Sequence, residues 1–208
     1  MNTLTVFLCI CDRCKDPIDH LLGAFCCSDC GVDGVIIMGL ADGSTTTKCN
    51  LCRHSFAHSD IMRYLSTVSN RLVEASQNPE TACLKLESFF TECEAVARSH
   101  GKSTKSGPEI RLHPYHSTLF SALVPLLNAY LRQKNFYGAA KICRKIIEHF
   151  DRCLGVNWGE TAAFLEQLSD SLTNLVSSRS FNRPQQFLAE ARAAKARCDH
   201  IRRVVLGM

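Results

Sequence analysis

Apolar residues recur with a helical period from about residue 59 to the end of the chain. Ile61, Leu65 and Val68 follow the i, i+4, i+7 spacing that places side chains on one face of a helix. Ser59 precedes them and is a suitable N-cap, because its hydroxyl can accept a backbone N–H of the first turn. Further helices are predicted after Asn78-Pro79 and before Gly101, and over about 116–134, 136–153, 159–176 and 184–205.

The helices after residue 113 fall into two-helix units of roughly forty residues, a period that is typical of helical repeats. Leu126, Tyr130 and Ala139 have the spacing of the tetratricopeptide pattern, in which a large apolar residue, an aromatic residue and a small residue follow one another. Ile146 departs from that pattern, since a small residue is usual there. The alternative interpretation is a generic antiparallel bundle.

The first 57 residues instead carry short apolar runs separated by turn residues. Val35-Ile36-Ile37-Met38 is a β-branched run between Gly34 and Gly39, which is typical of a short strand. Ala41-Asp42-Gly43-Ser44 is a turn signal, and the threonines that follow favour extended chain leading back to Cys49. The pattern predicts a small β ribbon.

Composition and charge exclude little by themselves. The chain has 208 residues, 46% hydrophobic and 21% charged, and its formal net charge is +4. This composition suits a globular protein, and the net charge is too small to argue for nucleic-acid binding. No apolar run approaches the roughly 18 residues that a membrane helix needs, so no membrane partner is expected.

Cysteine is the unusual component, with 13 residues, of which eight lie before residue 53. A secreted disulfide scaffold is disfavoured, because the count is odd and no cleavable apolar leader stands at the start. The later cysteines lie on helical patterns, where a free thiol behaves as a small hydrophobic group. We therefore expect a reducing compartment, the cytoplasm and/or the nucleus.

Four of the early cysteines form two closely spaced pairs, Cys27-x2-Cys30 and Cys49-x2-Cys52, separated by 18 residues. Each pair can direct two thiolates at one tetrahedral ion, so the spacing predicts a complete zinc site in the ribbon. His54 and His58 follow at spacings that could also bind metal. The four-cysteine set is the simpler interpretation.

These patterns together predict a mainly α protein with a small zinc-bound N-terminal segment. Residues 1–57 would hold the cysteine cluster and the β zinc ribbon, and residues 58–208 an antiparallel, degenerate tetratricopeptide-like array. Four further histidines are isolated and are expected to be surface or capping groups, with no catalytic residue assigned. They are His113, His116, His149 and His200.

A second cysteine group, Cys9-x-Cys11-x2-Cys14, has three thiols and needs a fourth ligand. It lies in the segment Val6-Phe7-Leu8-Cys9-Ile10-Cys11-Asp12-Arg13-Cys14-Lys15-Asp16-Pro17. That F-x-C-x-C-x2-C segment resembles the post-SET cysteine cluster of SET-domain lysine methyltransferases, and in particular the SET-and-MYND (SMYD) family. The ribbon cysteines resemble an insertion of some members, and the helices with His113-Pro114-Tyr115-His116 resemble the family's tetratricopeptide-like C-terminal domain.

The resemblance implies the C-terminal part of an S-adenosylmethionine-dependent protein-lysine methyltransferase. The family's SET core, with its glycine-rich cofactor loop and N-H-x-C-x-P-N signature, has no counterpart in this sequence. The chain alone is therefore expected to be inactive, and to contribute to an S-adenosylmethionine site only beside a complete SET core. In that context Phe7 would lie against the adenine, whereas without a core it would be a strand residue.

The same resemblance implies that the fourth ligand of Cys9, Cys11 and Cys14 comes from the cysteine of the N-H-x-C signature. Within this chain the local substitutes are Cys26 and His20, and Cys26 could instead be a free thiol. The expected partners are proteins: a histone or non-histone peptide substrate, or a chaperone-type partner. The alternative function is a stand-alone zinc-binding helical-repeat module for protein interaction.

Basic side chains on two of the predicted helices raise the further alternative of an acidic partner. Such residues are more often a solvated helix face, with cations near a helix end also favouring the helix dipole. The residues concerned are Lys141, Arg144, Lys145, Arg192, Lys195, Arg197, Arg202 and Arg203.

Overall fold

A computed structural model describes residues 21–36, 46–77, 81–98, 109–178, 184–205 and 207 of the chain. These residues are mainly helical, as predicted, and most helix bounds lie within two residues of those expected from periodicity. The helices are α1 His58–Gln77, α2 Ala82–Arg98, α3 Ser117–Arg132, α4 Phe136–Cys153, α5 Thr161–Ser177 and α6 Pro184–Val204. None of the helices in the described part of the chain is long and apolar enough to cross a membrane.

Local capping explains where two of these helices begin. Asn135 precedes α4, and its side-chain oxygen accepts the backbone N–H of Gly138 at 2.9 Å. His116 precedes α3, and its Nδ1 accepts the backbone N–H of Thr118 at 3.1 Å. Both caps satisfy a first-turn donor that has no partner within its own helix.

Each helix packs mainly against the next one in the chain, from α1 to α6. One close approach joins α3 and α4, where the Tyr130 ring lies against Gly138. A Cβ atom at Gly138 would stand 2.6 Å from that ring, so only glycine fits there. The packing is that of a helical array. Its tetratricopeptide-like character stays a prediction.

Within the residues that the structure describes, five short strands form two small antiparallel sheets. One sheet has the order β2-β1-β5 and the other pairs β3 with β4. The strands are β1 Phe25–Cys27, β2 Gly31–Ile36, β3 Thr46–Lys48, β4 Ser55–Ala57 and β5 Ile110–Leu112. The ribbon strand predicted at 35–38 is thus present as β2, which starts earlier. Residues 37–45, where its turn was predicted, lie outside the described residues.

Strand β5 was not predicted, and it comes from beyond the expected domain boundary at residue 57. It pairs with β1, with Cys26 opposite Arg111. Backbone bonds extend the pairing at both ends, from His113 N–H to the Ala24 carbonyl and from Ser28 N–H to the Glu109 carbonyl. The domain division stays a prediction, and the sheet itself spans it.

A side chain of β1 also packs into the helical core. The Phe25 ring is 1% exposed, and its centroid lies 5.0 Å from the His116 ring and 6.5 Å from the Tyr64 ring. Tyr64 also accepts the backbone N–H of Leu112 through its hydroxyl at 3.3 Å. Ribbon and array therefore share one buried cluster. Phe25, Tyr64, His116 and Leu112 are called the joint below.

Candidate metal centre

The four ribbon cysteines come together as their spacing predicted. The Sγ atoms of Cys27, Cys30, Cys49 and Cys52 all lie within 4.8 Å of one another. The Sγ atoms of Cys27 and Cys52 are 3.8 Å apart. A tetrahedral zinc ion with Zn–S bonds of about 2.3 Å sets its sulfurs about 3.8 Å apart, so this arrangement is compatible with zinc.

The two cysteine pairs share one backbone feature. The residue after the second cysteine of each pair has a left-handed conformation, with φ 66° at Gly31 and φ 62° at Arg53. This conformation reverses the chain just after the thiols. In the second pair the turn is closed by hydrogen bonds from Arg53 N–H to the Cys49 carbonyl and from Cys49 N–H to the His54 carbonyl.

Backbone N–H groups also point at the sulfurs. The amides of Cys30 and Asp29 hydrogen-bond to Cys27 Sγ, although burial is the larger influence and raises the pKa of the Cys27 thiol. The amide of His54 lowers the pKa of Cys52 in the same way. Oriented N–H dipoles favour thiolates, which are the metal-binding form of cysteine.

Gly34 on β2 leaves the space that the sulfurs occupy. A Cβ atom there would lie 2.2 Å from Cys30 Cβ and 3.3 Å from Cys49 Sγ. Any larger residue would have to displace the cysteines. The donor set and this glycine cradle both fit a zinc ion held by Cys27, Cys30, Cys49 and Cys52.

Electrostatics also favours a cation at this point. Burial first, and then the neighbouring cysteines, raise the pKa of the Cys30 thiol to about 12. Without a compensating charge, partly buried thiols so close together do not all ionise. A divalent cation supplies that charge and binds the thiolates directly, so metal affinity and thiol deprotonation are linked.

Among the described residues, the other candidate ligands Cys26, His54 and His58 do not join this group. Cys26 is buried in β1, where burial raises the pKa of its thiol to about 12. His54 is exposed and packs edge-on against Phe56, and His58 is exposed at the start of α1. Phe7, His20, Cys9, Cys11 and Cys14 lie outside the described residues, so the first cluster and its fourth ligand stay predictions.

The later cysteines whose side chains the structure describes are buried, as expected for thiols on inward helix faces. This is confirmed for Cys83, Cys143, Cys153 and Cys198. The side chain of Cys93 is outside the described set.

The prediction that the isolated histidines are surface or capping groups is wrong in part. His113, His116 and His149 are 6%, 4% and 5% exposed, whereas His200 is exposed. His116 does cap α3, and His149 stacks on Phe120 with ring centroids 4.5 Å apart. Burial lowers the pKa of each of the three buried imidazoles to about 4. The burial of His113 and His116 depends on the β5–α3 connection and was signalled by no periodicity, whereas His149 lies on the inward face of α4, three residues after Ile146.

Several of the basic residues considered for an acidic partner are engaged within the chain. Arg144 forms a two-pronged ion pair with Glu190 at 2.6 and 2.8 Å, joining α4 to α6. Arg197 pairs with Asp151, and Lys195 and Arg202 share Glu166. These contacts favour a structural role for the cations over binding of an acidic partner.

The chain matches no protein-family model and no curated protein. The resemblance to the SMYD family therefore depends on the cysteine segment and the helical pattern in the sequence. What the structure shows is a mainly helical protein with a small antiparallel sheet and a four-cysteine cluster compatible with zinc.

Proposed function

We propose that this chain is a zinc-stabilised module that forms the C-terminal part of a SMYD-like protein-lysine methyltransferase. The observation that carries the zinc assignment is the four-sulfur cluster with its Gly34 cradle. The methyltransferase assignment is supported by the F-x-C-x-C-x2-C segment around Cys9, Cys11 and Cys14.

In this proposal zinc has a structural role at the ribbon. All four positions are taken by protein thiolates, and such closed sites hold folds together rather than activate water. The joint, together with the pairing of β1 and β5, then fixes the position of the ribbon relative to the helical array. A ribbon fixed to the array in this way would give a SET core a rigid surface to dock on.

The contribution to S-adenosylmethionine binding is conditional. Phe7 and the post-SET cysteines would complete the cofactor pocket only beside a SET core, and the array would form one wall of the peptide cleft. The substrate would be a protein lysine, in a histone or another protein. By itself the chain is proposed to have no methyltransferase activity.

Zinc binding is tested by elemental analysis of the purified 208-residue chain. We expect about one tightly held zinc per chain from the four-cysteine set, with a second, weak or substoichiometric zinc at Cys9, Cys11 and Cys14. Intact disulfides by mass spectrometry, together with a zinc-free protein, would contradict the assignment.

The methyltransferase assignment has its own test. Sequencing the transcript that encodes the chain should reveal an in-frame N-H-x-C-x-P-N segment upstream of Met1. Stop codons in that position would sink the proposal. Calorimetric titration of the chain with S-adenosylmethionine is expected to give no binding heat, and a clear binding isotherm would contradict the inactivity proposed for the chain alone.

A stand-alone protein-interaction module is the second candidate. It is favoured by large side chains left in solvent: Tyr137 at the start of α4 is 50% exposed, and Val156 and Trp158 in the α4–α5 connection are 61% and 38% exposed. Aromatic residues of this kind are enriched at protein interfaces. The transcript test separates the two candidates, since a stand-alone module requires no SET-encoding sequence upstream.

A further inference from the structure

The four thiols of the candidate zinc cluster differ in accessibility. Cys27 and Cys49 are buried and Cys30 is partly buried. Among the cysteines whose side chains the structure describes, Cys52 alone is exposed. A solvent-borne oxidant therefore reaches Cys52 before the other sulfurs of the cluster.

A cysteine of the other pair lies close to Cys52 across the cluster. Cys27 Sγ is 3.8 Å from Cys52 Sγ, although the two residues belong to different turns. A disulfide needs a sulfur separation of about 2.0 Å, so the two sulfurs must approach by a further 2 Å or so. We expect the second turn to make this movement, because Arg53 and His54, which follow it, are exposed.

We propose that Cys52 is a modification site for hydroperoxides, and that its oxidation opens the cluster through a Cys27–Cys52 disulfide. This inference rests on the zinc binding proposed above. It assigns unequal roles to four ligands that are chemically alike: Cys52 reacts first, Cys27 resolves, and Cys30 and Cys49 stay reduced.

The chemistry balances in two steps. The Cys52 thiolate attacks a peroxide oxygen, the O–O bond breaks, and the products are a sulfenic acid on Cys52 and an alkoxide or hydroxide that takes up a proton. The Cys27 thiolate then attacks the sulfenic sulfur, the S–O bond breaks, and the released hydroxide takes up a second proton to form water. Two thiolates are oxidised by two electrons, and one hydroperoxide is reduced to an alcohol, or to water, plus water.

The disulfide removes two of the four zinc ligands. The remaining pair, Cys30 and Cys49, is a much poorer site, because zinc affinity depends on the full set of deprotonated ligands. Cys27 is also the last residue of β1, the strand that carries Phe25 into the joint. Oxidation at Cys52 therefore modifies a residue of the strand that connects the ribbon to the array.

The experiment uses the purified, zinc-loaded full chain with hydrogen peroxide as the probe. Zinc per chain is measured first by elemental analysis, and its release is then followed with a colorimetric chelator. Peptide mapping by mass spectrometry, with and without reduction, locates the disulfide. We expect release of zinc together with a Cys27–Cys52 bond.

Two matched variants assign the order of reaction. Cys52→His keeps a fourth zinc ligand but removes the exposed thiolate, and we expect zinc release to slow by on the order of tenfold. Cys30→His makes the same chemical change at a partly shielded position and leaves Cys52 in place, so release should stay close to that of the unsubstituted chain. Both variants leave Cys9, Cys11 and Cys14 unchanged, so oxidation there affects them equally.

The outcomes separate this inference from the zinc assignment. A chain that carries no zinc before oxidation overturns both proposals. A zinc-loaded chain that forms its disulfide elsewhere, such as Cys49–Cys52, overturns only this one. The same holds if Cys52→His releases zinc as fast as Cys30→His. The disulfide map of the unsubstituted chain decides the matter even if neither variant takes up zinc.

Discussion

The ribbon and the helical array reach order by different means. The ribbon strands β1, β3, β4 and β5 have three residues each, and the large side chains that the ribbon buries, such as Phe25, Ile36 and Phe56, belong to the core that it shares with the array. Its close contacts converge on four sulfurs and on Gly34. The array instead buries large aliphatic side chains along its whole length, such as Leu126, Ile146, Leu172 and Ile201. A small segment of this kind needs a metal where a large one needs only a hydrophobic core.

The largest expected effect is the unfolding of the ribbon while the array stays folded. Removal of zinc by a chelator, or Cys49→Ser, should unfold the ribbon, because structural zinc contributes about 10–16 kcal/mol of apparent binding energy in small domains. The array should keep its helical circular dichroism. Hydrogen exchange should show loss of protection in residues 25–36 and 46–57, with α4 to α6 unchanged.

Cys143→Ala is the control for that experiment, since it removes a buried thiol of α4 that is outside the cluster. Its zinc content should equal that of the unsubstituted chain. Collapse of the whole helical signal on chelation would show that the array depends on zinc as much as the ribbon does, and the contrast between the regions would be lost.

The next largest expected effect is a loss of folding stability in acid, which arises at three buried histidines in and near the joint. The pKa values of His113, His116 and His149 are lowered to about 4 by burial, against an ordinary value near 6.5. The unfolded chain therefore binds more protons between these values, so stability is full above about pH 6.5 and falls as the pH drops toward 4. Each histidine contributes a slope of at most about 1.4 kcal/mol per pH unit.

The acid effect is measured as the denaturant midpoint of the array signal across that pH range. His149→Phe replaces an imidazole that stacks on Phe120, and it should reduce the slope by up to one histidine's share. His200→Phe alters an exposed imidazole and should leave the slope as it was. Equal slopes in all three proteins would contradict the role of burial.

A core substitution tests the array alone. Ile146 is completely buried on α4, so Ile146→Ala should lower the free energy of unfolding by about 2–5 kcal/mol through lost contacts and an unfilled cavity. Leu84→Ala changes a side chain that is 71% exposed and should shift it by no more than about 0.5 kcal/mol. Zinc content should be normal in both, and zinc loss in Ile146→Ala would show the two regions to be one cooperative unit.

The smallest predicted effect is local to the sulfurs. Gly34→Ala places a methyl group against Cys30 and Cys49 and should cost about 1–3 kcal/mol, seen as weaker zinc binding in competition with a chelator. Gly23→Ala is the matched control, because a Cβ atom there meets nothing within 4 Å. Unchanged zinc affinity in Gly34→Ala would mean that the sulfurs can move apart freely.

The helices and the cysteine pairs were predictable because both are encoded locally. Helical periodicity places Leu126, Tyr130 and Ala139 inward whatever the rest of the chain does, and all three are buried. A two-residue spacing between cysteines likewise brings two thiols to one point within a single turn. His116 as an N-cap also needs only its own first turn.

Strand β5 was missed for the opposite reason. Three residues, Ile110 to Leu112, carry too little pattern to predict a strand, and they become one only by pairing with β1, more than eighty positions earlier. The burial of His113 follows from that pairing and was missed with it. The ion pairs of Arg144 and Arg197 were equally hidden, since their partners lie 46 residues away in sequence.

The sequence by itself determined which segments are helical and which cysteines form the two closely spaced pairs. It also determined that a cysteine-rich ribbon precedes a helical array. These features depend on residues that are near neighbours in the chain. Only the tertiary structure decided how the regions are joined. Phe25 meets His116 and Tyr64, and Gly34 makes room for two thiols from different turns, through contacts between residues far apart in the chain. Such contacts are selected by the packing of the whole fold, and no local pattern records them.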